Sequence, residues 1–228
     1  MDGALLSLTA ASVTLVGTHF AMSHPLRAPL HKAMGAGGFQ LVYNAVAVAA
    51  IVWMWLAFGD SPTGDLPGAG LVGNIAASLL SLIALVLFVG SITPRNPSMP
   101  MPGAEEAARA EPEGVFRVTR HPMMWGFALW AASHLVLLYS WRTTIVATAI
   151  AVLALLGAKL QDRRKAREMG EAWEVFASNT TYLPRLSGVP SIKQTTWIIA
   201  IVAWAIITWL HGPLGQGTVG IWPRLGIG

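Results

Sequence analysis

Six apolar stretches, at about residues 4–24, 38–59, 67–93, 123–141, 143–160 and 195–211, run through the chain and leave it one broad fold class. A helix that crosses a bilayer needs about 20 mainly apolar residues, because a hydrocarbon core about 30 Å thick is spanned at 1.5 Å per residue. Every backbone group in it must also be bonded internally, which a helix achieves alone. Only 11% of the 228 residues are charged, against roughly 25% in a soluble domain. The expected fold is therefore all-α: an integral-membrane bundle of about six transmembrane helices, forming a single domain over residues 1–228. The first stretch lacks a basic start and carries Thr18 and His19 where a small-residue cleavage site would stand, so it reads as a span.

The basic residues fix an expected orientation. Arg27 and Lys32 follow the first span, Arg95, Arg109, Arg117 and Arg120 the third, and Lys159, Arg163, Arg164, Lys165, Arg167, Arg185 and Lys193 the fifth. That places 13 of the 15 Lys and Arg residues in alternate loops, with only Arg142 and Arg224 elsewhere. Positive loops stay in the cytoplasm, so the protein is expected to be a multi-pass protein of a bacterial inner membrane with both termini extracytoplasmic. The net charge of +4 then reads as topology and contact with membrane lipids, and it asks for no nucleic acid. The absence of cysteine excludes disulfides, thiolate nucleophiles, iron–sulfur clusters and a thiolate-ligated heme.

Between the spans, "AEEAARAE" has the composition of a short surface helix inside a Pro-rich loop. Pro122 suits the first turn of the fourth span, where its missing N–H has no partner to lose. Residues 158–186 extend the fifth span into an amphipathic cytoplasmic arm, with Trp173, Phe176 and Tyr182 expected at the headgroup boundary.

Ionisable groups inside a membrane are costly, so each one is a candidate for function. His19 and His134 lie within spans, and His211 ends the last one. His24 and His121 lie at the cytoplasmic interface, and His31 is expected to be solvated. His121 and His134 are 13 positions apart, which on a continuous helix is about 20 Å of rise and about 220° of rotation. A bis-nitrogen iron site needs its axial donors only about 4 Å apart. Neither histidine can share a metal with the other, and each must find a partner on another helix, the usual way bundles build cofactor sites. Helix rise leaves His19 and His211 as comparable partners for His134. The structural alternatives are an interhelical hydrogen bond for His134, a helix-end cap for His211 and an interfacial anchor for His121 beside Arg120. Trp130 stands one turn before His134, where it would border any cofactor bound there.

The series "THFAMSHPLRAPL", "VYNAVAVAAI", "VTRHPMMWGFALWAASHLVL" and "DRRKAREMGEAWEVF" ending in "YLP" resembles the NnrU family, relatives of the 15-cis-zeta-carotene isomerases. The resemblance covers spans one to five in order, and "HGPLGQG" is similar to the family's last-helix ending. It implies heme b held by two histidines, which by position are His19 and His134. Arg120, His121 and Trp130 follow as cofactor contacts. It further implies an apolar lipid-soluble ligand, a carotenoid-like polyene, whose cis double bond is isomerised at the reduced iron by an enzyme served by an unidentified electron donor. One departure stands out: the adjacent histidines of the plant enzymes' fifth span are replaced here by "VLALLGAK".

Two other functions fit the same residues. A non-catalytic heme protein responsive to nitric oxide, linked to nitrogen-oxide metabolism, would use the same bis-histidine site. "RHPMMWG" with the later arm also resembles the isoprenylcysteine methyltransferases and sterol reductases, whose "RHP" contacts a soluble cofactor. The tyrosine usual after that motif is absent here, and the double acid of the arm is replaced by Asp162, Arg163 and Arg164.

Overall fold

The structure is a computed structural model that describes residues 2–92, 96–99, 102–214, 219–222 and 226. Eight α-helices follow one another: α1 Gly3–Ser23, α2 Arg27–Asp60, α3 Gly70–Ser91, α4 Ala104–Arg109, α5 Pro122–Leu135, α6 Trp141–Met169, α7 Glu171–Asn179 and α8 Gln194–Leu210. Two 3-10 turns, Gly114–Arg117 and Leu186–Ser191, complete the regular structure among the described residues. The all-helical architecture agrees with the sequence expectation.

Four helices, α1, α2, α3 and α6, are long and apolar enough to cross a membrane. The six expected spans are thus not all matched in length. Helix α8 is apolar over 17 residues and α5 has 14. Helix α5 stops early because its end changes partners: Leu138 turns to φ +47°, and the carbonyls of Leu137, Leu138 and Tyr139 accept from the backbone N–H groups of Ala69, Gly68 and Leu66. The chain there trades its own helical bonds for bonds to the α2–α3 loop, which gives these three carbonyls their partners. Helix α2 runs for 34 residues but bends at Gly35, whose φ of +71° a residue with a Cβ reaches only at a cost. Its first leg, residues 27–34, is the part the sequence reading left as loop.

Helix α5 packs on α3 and α6, α1 on α2 and α6, and α8 on α3. The α3–α5 approach depends on Gly126: a Cβ there would lie 2.9 Å from the Ala84 carbonyl oxygen. The C-terminus of α1, the start of α5, the end of α6 and the start of α8 share one end of the bundle, called here the basic end; the opposite end is the far end.

The tightest core sits at the basic end. Trp173 and Phe176 of α7 are buried among Val86, Leu87, Val115, Phe116, Val118 and Ile192. This corrects the expectation that they lie at a headgroup boundary. The arm is amphipathic, but its apolar face is covered by α3 and the loop before α5, where burying an aromatic ring removes 150–250 Å² from water. Helix α4 docks against α7 and buries Ala108 completely.

Candidate functional site

Two ends of the bundle carry histidines, in opposite settings. At the basic end, residues 117–120 run alongside 181–185. Arg120 N–H donates to the Thr181 carbonyl at 2.9 Å and Arg185 N–H to the Val118 carbonyl at 2.9 Å. The Thr119 hydroxyl donates to the Tyr182 carbonyl at 2.7 Å, and the Trp125 indole N–H to the same carbonyl at 2.9 Å. This register aims Arg120 and His121 at Asp162 of α6. Arg120 donates through Nε and Nη2 to both carboxylate oxygens at 3.0 and 2.7 Å, and His121 Nε2 lies 2.7 Å from Oδ1. Arg120 also lies over the Tyr182 ring at 5.7 Å. Burial, and then the Asp162 charge, push the Tyr182 phenol above its ordinary range, while Arg120 opposes them. His121 Nδ1 has no hydrogen-bond partner among the described residues, but the side chain is wholly buried, with the rings of Trp173 and Tyr182 at 6.3 and 5.7 Å. Arg120 and His121 are thus held by one carboxylate in a largely buried clasp joining α5, α6 and the 181–185 segment.

His19 lies one turn before the basic end of α1. The Tyr43 hydroxyl of α2 sits 2.7 Å from its Nε2 and 3.0 Å from its Nδ1, and 3.2 Å from the Ser23 hydroxyl. The charged neighbours of His19 are His24 and Arg164. His24, just past the helix, is held below the ordinary imidazole range by burial and then by Arg164, Arg167 and Arg27.

At the far end the histidines are posed differently. His134 Nδ1 donates to the Trp130 carbonyl at 2.9 Å, with the Ser133 hydroxyl at 3.2 Å. His211 Nδ1 donates to the Ile207 carbonyl at 2.7 Å. Each ring thereby has its proton fixed on Nδ1 and its lone pair on Nε2, and no described residue hydrogen-bonds either Nε2. This is how metal-ligating histidines are oriented, with the second nitrogen donating to a carbonyl. The titratable neighbour of His134 is His211. Trp130 stacks on His134 with ring centroids 4.3 Å apart. Phe127 and Trp130 are exposed on that flank of α5.

The two carried-over ligands lie at different levels. His134 is about 18 Å along α5 from Pro122, and His19 about 6 Å along α1 from Ser23, both measured from the basic end. Helix α6 packs against both α1 and α5. His134 and His211 instead lie at the ends of two helices that both pack on α3, within electrostatic reach of each other. Among the described residues, no group of three or more His, Cys, Asp or Glu side chains is arranged to hold a metal ion. Sequence reasoning missed Tyr43 and Asp162 as partners. Each left one signal: a phenol inside an apolar span, and a lone acid opening a basic run.

Residues 7–218 match the family described as NnrU protein. The chain belongs to the NnrU family. Within it, 73 residues are 36% identical to the chloroplastic 15-cis-zeta-carotene isomerase of Zea mays, covering 31% of this chain and 19% of that protein. The corresponding Arabidopsis thaliana enzyme is 34% identical over 73 residues, again 31% of this chain and 19% of its own. The match thus spans about a fifth of the length of these curated relatives. No solved structure matches the chain.

Proposed function

We propose that this NnrU protein binds heme b at the far end of the bundle, with His134 and His211 as axial ligands, and acts there on an apolar ligand drawn from the bilayer. One observation carries the reading: both rings hold Nδ1–H on a carbonyl of their own helix and leave Nε2 unengaged, within electrostatic reach of each other. The donor set fits the group, since heme b takes two neutral imidazoles and the chain has no thiolate to compete. His19, the partner implied by the family resemblance, would first have to release Tyr43.

When bound, the heme held by His134 and His211 would supply a redox-switchable Lewis acid toward a substrate double bond. The chain's residues do the rest. The Trp130 and Ile207 carbonyls fix the tautomers of His134 and His211 and raise their basicity as donors. Trp130 and Phe127 give the site an apolar wall open to lipid, the access a polyene needs. The reaction is cis–trans isomerisation of that polyene, redox-neutral overall but dependent on an electron donor that keeps the centre reduced. The setting is a bacterial inner membrane, with the basic loops in the cytoplasm.

Purified protein from heme-replete cells is expected to show the visible spectrum of a low-spin bis-histidine heme, and the dithionite-reduced form to convert 9,15,9′-tri-cis-zeta-carotene. A colourless protein contradicts the reading. A coloured protein with no turnover leaves heme binding standing and replaces the enzyme by the non-catalytic nitric-oxide-responsive component.

A further inference from the structure

A second feature of the basic end has no part in the heme reading and does not depend on it. Where α1 turns into α2, the first leg of α2 folds back at Gly35. Arg27 then lies over the Phe39 ring at 5.3 Å and the His31 ring packs on it at 4.3 Å. Phe39 is buried and in turn meets Tyr43 at 5.8 Å, so the elbow is fixed to the wall of the bundle. Onto it α6 brings Arg164, Lys165 and Arg167. His24 has Arg164, Arg167 and Arg27 as charged neighbours, and Lys165 has Arg164 and Arg27. Five cationic or ionisable basic groups from three elements thus gather at one lip.

Their counter-charge is thin. Glu168 is the one acid beside Lys165, and it is exposed and 3.7 Å from Arg164. Lys165 is only 6% exposed, and no described residue forms a hydrogen bond or ion pair with its ammonium. Arg164 Nε, whose one ion-pair contact is Glu168 at 3.7 Å, and His31 Nε2 are buried without a hydrogen-bond partner among the described residues. A buried cation among like charges is unfavourable unless an anion compensates it. The elbow also exposes apolar side chains beside these cations, Leu26 and Met34 on the first leg and Leu41 beyond the bend. A soluble anion has no use for that surface, whereas a lipid needs both.

We propose that this lip seats one anionic phospholipid, its phosphate held by Arg27, Arg164 and Lys165 and its acyl chains against Leu26, Met34 and Leu41. The phosphate supplies the acceptors that Arg164 Nε and the Lys165 ammonium lack, and the lipid ties the α1–α2 elbow to α6. Basic clusters at the end of a span draw anionic headgroups in general; here the burial of Lys165 makes the interaction a site.

The test uses the full chain purified in neutral detergent, titrated with phosphatidylglycerol, phosphatidylcholine or inorganic phosphate while thermal stability and bound lipid are measured. Phosphatidylglycerol is expected to bind about tenfold more tightly than phosphatidylcholine and to raise the melting midpoint. Lys165→Met removes a buried unpaired charge, so the lipid-free variant is expected to melt no lower than the wild type, yet to lose the response to phosphatidylglycerol. Arg109→Gln, at an exposed ion pair with Glu171, is expected to keep the response. Three results overturn the proposal: no preference for phosphatidylglycerol in the wild type, an unchanged preference in Lys165→Met, or equal stabilisation by inorganic phosphate, which would make the lip a soluble-anion site. A Lys165→Met protein that loses heme but keeps the lipid preference also overturns it, and assigns the cations to the cofactor's propionates.

Discussion

The histidines at the two ends of this bundle share a residue type and differ in what their nitrogens face. His121 at the basic end gives one nitrogen to Asp162 and has the other sealed inside a side chain with no exposure, so nothing from outside can reach it. His134 and His211 at the far end spend one nitrogen on a carbonyl of their own helix and leave the other without a hydrogen-bond partner among the described residues. The first arrangement fastens elements together, and the second is ready to donate to a metal. His19 falls between them, with a ring free of carboxylates but engaged by Tyr43. A histidine's role in a membrane bundle is therefore read from the free lone pair and its access.

The comparison breaks most readily at Asp162. Asp162→Ala leaves the buried His121 and the partly exposed Arg120 without their shared acceptor, at an expected cost toward the lower end of the about 3–5 kcal/mol typical of a broken buried ion pair. A steep fall in melting midpoint is expected, with the heme spectrum of the surviving folded fraction unchanged. A lost spectrum in protein that still melts cooperatively would show that the clasp reaches the cofactor. Trp173→Ala, which empties the core beneath the same clasp, is expected to cost about 3–5 kcal/mol with the same spectral silence.

Smaller changes sharpen the far end. Trp130→Ala keeps the carbonyl that orients His134 but removes the ring stacked on it. The heme is expected to stay, with turnover of the polyene reduced about tenfold through lost apolar contact, a loss of about 1.4 kcal/mol in transition-state binding. Unchanged turnover would separate Trp130 from the substrate path. The smallest effect is expected for Tyr182→Phe. The folded-state phenol titrates above its ordinary value, so its contribution to stability is full at neutral pH and is lost as pH rises through that raised value. Alkaline unfolding measured by circular dichroism should be flatter in the variant than in the wild type.

Much of this was legible in the sequence. Helices α1, α3 and α8 begin and end close to the apolar stretches and α6 begins close to one, because long apolar periodic runs have few other ways to satisfy their backbone. The early end of α5 was not legible, since it depends on Leu137 to Tyr139 pairing with a loop some 70 residues earlier. The amphipathic pattern of the arm marked Trp173 and Phe176 as its apolar face and put them at a headgroup boundary, but pattern alone does not say what covers that face, and protein rather than lipid does. His134 stood out because an ionisable group in a span is rare. The choice between His19 and His211 was open, because rise along separate helices does not reveal which nitrogens are already engaged.

That choice is the central claim, and one measurement tests it most directly: reduced and oxidised visible spectra of His134→Ala, His211→Ala and His19→Ala, recorded at equal protein concentration. Loss or conversion to a high-spin spectrum in the first two, with the third resembling the wild type, is the expected result. A spectrum lost in His134→Ala and His19→Ala but kept in His211→Ala would contradict the far-end pair and restore the ligands implied by the family resemblance.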